Sequence, residues 1–364
     1  MRRMKPAHAT PSSDAEMEEV DVAVIGGGQS ALAVAYYLRR TTLRYVLLDD
    51  EGSPGGAWRH TWRSLRLFLP AQWSSLPGWL MPGGSSYYPS RDEGLAYLAE
   101  YERRYNVPVR RPVRVRGVER LGARLMLQAT VGRWSARAVV SATGTWSAPN
   151  EPRLPGQGEF GGRVLHSAAY TSPEGFAGRR VVVVGGGNSG AQIVADLYEH
   201  ATVTWATREP PTFLPDEIDG RYLFEQATLR YRAVAEGREP PPQRSLGDIV
   251  AVEPVRRARA AGALEAVPMF ERFTPHGVQW PDGARSREDV VIFATGFHAA
   301  LDHLRPLGVV QDGRVATAGT RSLVEPRLWL VGYGEWTGFA SATLIGVGRS
   351  ARATVGEITD TLGA

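Results

Sequence analysis

The feature that most constrains this chain is a pattern that occurs twice: an apolar β-branched strand, a glycine-rich turn and a helix of small residues. The first copy joins residues 22–25 to Gly26, and the second joins residues 181–184 to Gly185. Such a turn brings the backbone close to a pyrophosphate, which the N–H groups and dipole of the following helix stabilise. The sequence therefore predicts an α/β chain with two Rossmann-like dinucleotide-binding domains.

The first turn is followed by an acidic residue at the distance expected for a ribose-binding carboxylate. Asp49 closes the next strand, residues 45–48, at about the twenty-residue offset typical of such sites. Alanine at the third glycine position is compatible with packing of the helix on the strand. The alternative is a tight turn with an unrelated surface acid. The binding residues predicted here are Gly26, Gly28, Gln29, Ser30, Ala31 and Asp49.

The second turn keeps all three glycines, and its second strand ends in two residues of opposite charge. An arginine there pairs with the 2′-phosphate of NADPH, whereas an acid such as Glu209 binds the free ribose of NADH. The charge-assisted contact between guanidinium and phosphate favours NADPH, with NADH as the alternative. In a third interpretation both side chains face solvent. The binding residues predicted here are Gly185, Gly187, Asn188, Ser189, Gly190, Thr207 and Arg208.

The composition excludes several other classes of protein. The chain contains no cysteine, so the protein carries no thiol redox chemistry, and a bound cofactor must carry any electrons. No run of about 18 apolar residues occurs, which argues against a membrane span. The basic stretch 110–116 alternates like the solvated face of a strand and lacks the aromatic pattern of a nucleic-acid site. We therefore expect a cytoplasmic protein that binds neither membrane nor nucleic acid.

Two turns with the same Ala-Thr-Gly sequence indicate how the two folds are connected. One follows the strands of the first half at residues 142–144, and the other follows the apolar run 290–293. We interpret them as the points where the chain leaves and re-enters the first domain, with a C-terminal helix starting near residue 342. The predicted boundaries are a disordered tail at 1–19, a first domain at 20–150 and 290–364, and an inserted second domain at 151–289.

A sharper pattern precedes the second glycine-rich turn. The run Phe160-x-Gly162-x-x-x-His166-x-x-x-Tyr170 resembles the signature of the flavin-containing monooxygenases, which lies at the same place in that family. Over about residues 20–360 the chain is similar to short bacterial members, including those associated with arsenic-resistance operons. Baeyer–Villiger monooxygenases share much of this signature, but they usually carry tryptophan where Tyr170 stands.

The resemblance implies which cofactor each fold binds and what reaction follows. FAD would occupy the first fold, and NADPH, or alternatively NADH, the second. The nicotinamide would reduce the flavin, the reduced flavin would capture O₂ as a C4a-hydroperoxide, and a small soft nucleophile such as a sulfide or amine would take up the distal oxygen. The flavin carries the chemistry, and the protein supplies orientation and exclusion of water. The alternatives are Baeyer–Villiger oxidation of ketones, an oxidase that releases hydrogen peroxide, and a flavin-binding sensor without turnover.

The resemblance also implies roles for residues outside the two turns. On the FAD side these are Gly56, Trp58 and Trp62 as cavity residues, with Glu335, Ala342 and Thr343 around the start of the C-terminal helix. On the NAD(P)H side they are Thr143 and Thr295. His166 and Tyr170 would position the nucleotide without acid–base work.

Two positions depart from the family pattern. Phe68 stands where relatives commonly carry an asparagine close to the flavin and nicotinamide, so we predict a flavin-site wall that packs without an amide hydrogen bond. Glu335 replaces the aspartate that commonly holds the ribityl or phosphate region and is one methylene longer. No metal site is expected. The sequence leaves the oligomeric state open, with a homodimer as one alternative.

Overall fold

The computed structural model describes residues 17–215, 228, 229, 233, 236–239, 248–338 and 340–364. The strands are β1 (Met17–Ile25), β2 (Tyr45–Leu48), β3 (Val109–Arg110), β4 (Val115–Leu121), β5 (Arg124–Ala129), β6 (Arg133–Ser141), β7 (Arg163–His166), β8 (Arg180–Val184), β9 (Thr202–Thr207), β10 (Ala266–Pro268), β11 (Arg272–Thr274), β12 (Gly277–Gln279), β13 (Arg285–Arg287), β14 (Val290–Phe293), β15 (Val310–Gln311), β16 (Arg314–Val315), β17 (Thr317–Ala318), β18 (Arg321–Ser322) and β19 (Leu328–Leu330). The helices are α1 (Gln29–Leu38), α2 (Arg91–Arg104), α3 (Asn188–Leu197), α4 (Glu253–Ala260) and α5 (Val347–Leu362).

The first layer is a mixed sheet of nine of the described strands. Its order is β17, β18, β19, β6, β1, β2, β3, with β5 joined to β6 and β4 joined to β5. At its centre β1 is parallel to β6 and to β2, so that Ile25 lies opposite both Ser141 and Leu48. Residues 22–25 are buried on both faces, which explains their continuous apolar run. The first glycine-rich turn follows directly at the carboxyl end of β1.

The second sheet is formed by five of the described strands, all parallel, in the order β10, β9, β8, β14, β7. One face packs against α3 and α4, where Val183 and Ile193 belong to the same buried core. The opposite face packs on the antiparallel strands β11–β13 through residues such as Val182 and Phe273. The second glycine-rich turn leaves the carboxyl end of β8.

The remaining helices cover the first sheet. α1 packs against α5, and residues such as Leu32 and Val355 share one buried core with the sheet. α2 begins with a capping box in which the Ser90 side chain and backbone exchange hydrogen bonds with Glu93. In the part of the chain that the structure describes, no helix combines the length and apolar character needed to cross a bilayer.

Three predicted boundaries are wrong. Met17 and the next two residues belong to β1, where they pair with β6 from Arg133 onwards, so the predicted tail at 1–19 is too long; residues 1–16 lie outside the described residues. The strand β14 lies between β8 and β7 in the second sheet, because its apolar run is buried by parallel neighbours on both sides. The chain therefore leaves the second sheet only after Phe293, later than the predicted re-entry at residue 290. α5 begins at Val347 and not near 342.

The two connections between the sheets run side by side. Backbone hydrogen bonds join Asn150 N to Gly296 O, His298 N to Ala148 O and Ala300 N to Gly144 O, at 2.8–3.0 Å. We call residues 142–150 the first linker and residues 294–300 the second linker. Because they pair along their length, a movement of one sheet relative to the other must bend both linkers together.

Candidate functional site

The first glycine-rich turn leaves a backbone cradle where β1 meets α1. Gly26 has a φ of 115°, and a Cβ atom there would lie 2.6 Å from the carbonyl oxygen of Ala142. Gly28 faces Gly56 so closely that a Cβ on Gly56 would lie 2.8 Å from the Cα of Gly28. No side chain caps α1 at Gly28 within the described residues. The N–H groups of the first helical turn can therefore bind an anion such as a pyrophosphate.

Gln29 joins three segments around this cradle. Its Oε1 accepts a hydrogen bond from Trp58 Nε1 at 2.9 Å, and its Nε2 donates to the carbonyl oxygen of Ala342 at 2.7 Å. Arg91 holds the Trp58 segment from the other side by donating to the carbonyl oxygens of Trp58 and Arg59. The structure therefore brings Gln29, Trp58 and Ala342 together, while both ends of the Gln29 amide bind protein atoms.

Asp49 lies beneath the first turn, where it is buried and paired. Its Oδ2 accepts a hydrogen bond from Arg111 Nε at 2.5 Å, and the other nitrogens of Arg111 donate to Glu102 at 2.7 and 2.8 Å. A Cβ on Gly27 would collide with the Asp49 carboxylate, so the turn and the acid are in direct contact. Burial raises the pKa of Asp49, and the Arg111 guanidinium opposes that rise. The Glu51 backbone also hydrogen-bonds to this carboxylate, so the acid is held firmly beneath the turn.

Arg111 was not among the predicted site residues, yet it holds Asp49 in place. Alternation along 110–116 predicts a solvated strand face, yet the Arg111 side chain is only 11% exposed and lies between two carboxylates. β2 and β3 are parallel neighbours with Leu48 opposite Arg110, so the residues that follow these two strands meet. Arg111 could therefore be predicted as a partner of Asp49 only if the order of the strands in the sheet were known.

The segment 332–338 closes the first turn from the side of α5. Gly332 has a φ of 93°, and a Cβ there would collide with the Ser30 hydroxyl. At the other end, a Cβ on Gly338 would lie 2.7 Å from the hydroxyl of Ser350, which is in the first turn of α5. The positive end of α5 is therefore beside this segment, although the helix begins five residues later than the predicted start at Ala342.

The remaining residues predicted in this region have different surroundings. Glu335 is exposed at the start of the 3-10 turn Glu335–Thr337. Thr343 does not open a helix: its hydroxyl donates to the Ala340 carbonyl oxygen at 2.8 Å and accepts from the Gly346 N–H at 3.0 Å. These bonds stabilise a separate turn ahead of α5, which is why the helix starts later than its pattern predicts. Ala31 is fully buried inside α1.

The second glycine-rich turn repeats the geometry of the first. Gly185 has a φ of 133°, and a Cβ there would lie 2.3 Å from the carbonyl oxygen of Ala294, the counterpart of Ala142. Gly190 is tighter still, since its Cβ would lie 2.1 Å from the Gly185 carbonyl oxygen. Within the described residues α3 also begins without a side-chain cap, at Gly187. This second cradle can bind a second dinucleotide.

The residues around the second cradle differ in how they face a ligand. The Asn188 amide is taken by the chain at 248–250: Oδ1 accepts from Val250 N–H at 2.9 Å, and Nδ2 donates to Asp248 O at 3.1 Å. Ser189 is half-buried and Thr207 is buried. Arg208 and Glu209 are exposed at the end of β9. Both side chains stand at the same strand end, so the conflict in the sequence persists in the structure.

The two Ala-Thr-Gly turns clamp the linkers to each other. Thr143 Oγ1 donates to the carbonyl oxygen of Ala300 at 2.7 Å, and Thr295 Oγ1 donates to the carbonyl oxygen of Asn150 at 2.6 Å. Each threonine at the start of one linker therefore binds the far end of the other. The resemblance implies that Thr143 and Thr295 contact NAD(P)H, but in the structure both hydroxyls donate to protein carbonyl oxygens.

His166 lies buried at the end of β7, beside the second linker. Its Nδ1 accepts a hydrogen bond from the Ala168 N–H at 3.1 Å, and its ring packs edge-on against Phe297 at a centroid distance of 4.9 Å. Burial lowers the pKa of His166, an effect that the backbone of Gly296 partly opposes. The imidazole is therefore neutral near pH 7, which suits a positioning role.

Tyr170 is fully buried and binds the helix that follows the second turn. Its hydroxyl donates to Asp196 Oδ2 at 2.6 Å, and burial raises the Tyr170 pKa well above its ordinary value. Trp62 packs against the Tyr170 ring at 6.3 Å and is only 4% exposed. The expectation that Trp62 lines an open cavity is therefore wrong, because this side chain fills the core of the second domain.

Phe68 comes from the same segment as Trp62 and also reaches the second domain. Its ring is half-buried and packs against the core that contains Trp62 and Tyr170. The backbone of this segment is tied across as well, since Arg63 N donates to Thr171 O at 3.0 Å. Phe68 thus stands at the junction of the two domains, with part of its ring exposed.

Comparison with known proteins agrees with this two-cradle geometry. Residues 23–217 match the model of the family described as pyridine nucleotide-disulphide oxidoreductase. A flavin-containing monooxygenase from Stenotrophomonas maltophilia is 51% identical, with a TM-score of 0.87 over 95% of this chain and 100% of that chain. Indole-3-pyruvate monooxygenase YUCCA4 from Oryza sativa subsp. japonica is 30% identical over 83% of this chain and 81% of its own length. The chain belongs to the flavin-containing monooxygenase family.

Membership of the flavin-containing monooxygenases makes the chain an oxidoreductase that uses a flavin, a pyridine nucleotide, O₂ and a small-molecule substrate. The similarity extends to an uncharacterized CzcO-like oxidoreductase from Geobacillus kaustophilus, 28% identical over 93% of this chain and 98% of its own length. Disulfide exchange through protein thiols is excluded for this chain because it has no cysteine. The resemblance to the flavin-containing monooxygenases, inferred from the signature at residues 160–170, is confirmed.

Proposed function

We propose that this flavin-containing monooxygenase binds FAD in the first cradle and NADPH in the second, and that it transfers an oxygen atom to soft nucleophiles such as sulfides or amines. The observation that carries the proposal is the pair of uncapped helix starts, each behind a glycine-rich turn, joined by paired linkers. Neither cradle leaves room for a Cβ at Gly26, Gly185 or Gly190, which supports close approach of a pyrophosphate to the backbone.

Residues of three segments would hold FAD. The first helical turn of α1 would bind the pyrophosphate, and the Asp49 carboxylate would accept a ribose hydroxyl. Gln29 keeps Trp58 and the Ala342 segment against the cradle by its two hydrogen bonds. The nearby start of α5 would stabilise negative charge on a reduced flavin. When bound, the reduced flavin would supply the oxygen-transfer chemistry.

The other side chains would orient and shield the reactants. His166 accepts a hydrogen bond from the Ala168 N–H through Nδ1, and Tyr170 is locked to Asp196, so we assign both side chains positioning roles. Phe68 would exclude water at the junction of the domains. Arg208 would pair with the 2′-phosphate of NADPH, whereas Glu209 favours NADH, and we give the role to Arg208 because a guanidinium binds phosphate by charge-assisted contacts. Soft nucleophiles need no general base, which agrees with this set of residues.

The test is a steady-state assay of the holoprotein with NADPH and O₂, run without substrate, with a dialkyl sulfide, with a tertiary amine and with a cyclic ketone. We expect a yellow protein that releases FAD on denaturation and forms sulfoxide or N-oxide in proportion to the NADPH consumed. Lactone formation from the ketone alone would favour the Baeyer–Villiger alternative. Stoichiometric hydrogen peroxide with every substrate would make the protein an oxidase, and release of FMN or no flavin would refute the first assignment.

A further inference from the structure

A chain of four hydrogen-bonded side chains lies near the first cradle. Thr143 Oγ1 lies 2.7 Å from Tyr333 OH, Tyr333 OH lies 2.5 Å from Ser141 Oγ, and Ser141 Oγ lies 2.9 Å from His303 Nε2. At its other end Thr143 bonds to the Ala300 carbonyl oxygen at 2.7 Å. Tyr333 and His303 have no part in the proposed chemistry, yet both are buried. We call these groups the linker relay.

The terminal carbonyl sets the direction of every bond in the linker relay. A carbonyl oxygen only accepts, so the Thr143 hydroxyl must donate to Ala300 O, and Tyr333 must donate to Thr143. The single proton of Tyr333 is then used, so Ser141 donates to Tyr333 and His303 Nε2 donates to Ser141. His303 Nε2 therefore carries a proton. Because burial lowers the pKa of His303 to about 4, the ring is neutral at pH 7 and its Nδ1 is unprotonated.

Because the linker relay ends on a carbonyl oxygen, it cannot pass a proton onward. It does tie three segments of the chain together. Ser141 and Thr143 lie where β6 enters the first linker, and Ala300 ends the second linker. Tyr333 follows Gly332, which contacts Ser30 behind the first cradle. A hydrogen-bonded chain thus holds both linkers against the segment that packs on the FAD cradle.

We propose that Tyr333 and His303 are positioning residues for hydride transfer, acting by fixing the linkers, and with them the second domain, relative to the flavin. The inference rests on the proposed function, since it assumes that the flavin and the nicotinamide lie in different domains. Hydride transfer requires close contact of donor and acceptor, and small misplacements of reacting groups lower rates steeply. A break in the linker relay loosens the linkers without removing a group that contacts either cofactor.

The first experiment is stopped-flow reduction of the holoprotein carrying Tyr333→Phe. The substitution removes one hydroxyl and leaves the ring packed on Trp336, whose centroid is 5.5 Å away. The hydroxyl's bonds to Thr143 and to Ser141 are both lost. We expect the rate of flavin reduction by saturating NADPH to fall at least about two- to tenfold, the effect of a single lost hydrogen bond at the transition state. Reduction by dithionite, which needs no second domain, should be unchanged. Equal slowing with both reductants, or no slowing with NADPH, would overturn the inference.

Tyr101→Phe is the matched control. Tyr101 is another buried tyrosine of the first domain, and its hydroxyl donates to the Pro77 carbonyl oxygen at 2.6 Å, away from both linkers. This variant loses a similar bond and should reduce at the wild-type rate with NADPH. If Tyr101→Phe slows the NADPH reaction as much as Tyr333→Phe does, the effect is general destabilisation and the inference fails.

A pair of substitutions at His303 tests the linker relay from its other end. These variants test the inference even if Tyr333→Phe is purified without flavin. His303→Gln keeps an N–H donor toward Ser141 and should stay near the wild-type rate. His303→Leu removes the donor and should slow NADPH reduction as Tyr333→Phe does, with dithionite unaffected. Equal rates for the two His303 variants would overturn the inference. A wild type that binds flavin but is reduced by neither nucleotide would instead refute the proposed function.

Discussion

The two glycine-rich turns have the same backbone geometry but opposite surroundings. The first stands over Asp49, which is buried and ion-paired with Arg111, and it is closed by the Gly56 turn and the segment after Gly332. The second opens toward Arg208 and Glu209, which are exposed at the end of β9. The shared backbone explains why both can bind a pyrophosphate. The difference in enclosure leads us to infer that the first retains its cofactor and the second exchanges it between turnovers.

The largest effect is expected from removing the buried cation at the first turn. Arg111→Met leaves two mostly buried carboxylates, Asp49 and Glu102, without their shared partner, which should lower the free energy of unfolding by about 3–5 kcal/mol. Equilibrium urea unfolding of the holoprotein measures this. Arg208→Met at the second turn is the matched control and should change the free energy by less than about 0.5 kcal/mol. Equal urea midpoints of unfolding for the two variants would show that the two turns do not differ in this contribution to stability.

The next effect concerns the nucleotide specificity of the second turn. Arg208→Ala should raise KM for NADPH while leaving KM for NADH nearly unchanged, a cost of about 1.5–3 kcal/mol if the contact with the 2′-phosphate is charge-assisted. Initial rates with both nucleotides provide the measurement, and Glu209→Ala is the opposite-charge control. Equal effects of Arg208→Ala on both nucleotides contradict the assignment. If the wild type prefers NADH, Glu209 takes the role.

A third substitution compares the turns at their one difference in the glycine pattern. Gly190→Ala places a methyl group 2.1 Å from the Gly185 carbonyl oxygen, so the second turn must shift, at a cost of about 1–3 kcal/mol. NADPH binding, measured by titration of the holoprotein, should weaken. At the corresponding position of the first turn, Ala31→Gly lowers helix propensity by about 0.5–1 kcal/mol and removes a buried methyl group, but it introduces no atom that would force the turn to shift. Unchanged NADPH affinity in Gly190→Ala would show that the second turn does not hold the nucleotide.

The smallest effect is expected where the two regions meet, at Phe68. Phe68→Asn introduces an amide that can bond to the oxygenated flavin or the retained nicotinamide, worth about 0.5–1.5 kcal/mol, and should lengthen the life of the oxygenated flavin several-fold. Stopped-flow mixing of reduced enzyme with O₂ in the presence of NADP⁺ measures it. Phe68→Leu, which stays apolar, is the control. A shorter life in Phe68→Asn than in the wild type would mean that the ring protects the flavin by packing on the second domain.

The parts of the site that can be predicted from the sequence are those that depend on the local conformation of the backbone. Gly26 and Gly185 are needed because their φ values are positive and a Cβ would strike a neighbouring carbonyl, and such positions recur at fixed spacing along the chain. The strand before each turn is apolar because parallel strands are buried on both faces. The α5 start was misplaced because Thr343 stabilises a turn that helix periodicity does not show.

By itself the sequence determined the α/β class, the two cradles, the family signature and the absence of protein thiols. Only the tertiary structure decided that β14 belongs to the second sheet, that Trp62 fills the second domain's core and that Arg111 pairs with Asp49. Arg111 and Asp49 lie 62 residues apart, and the Ser141 and His303 of the linker relay lie 162 apart. A turn is specified by residues that are neighbours in the chain, whereas such side-chain pairs form only after the order of the strands has brought distant strand ends together.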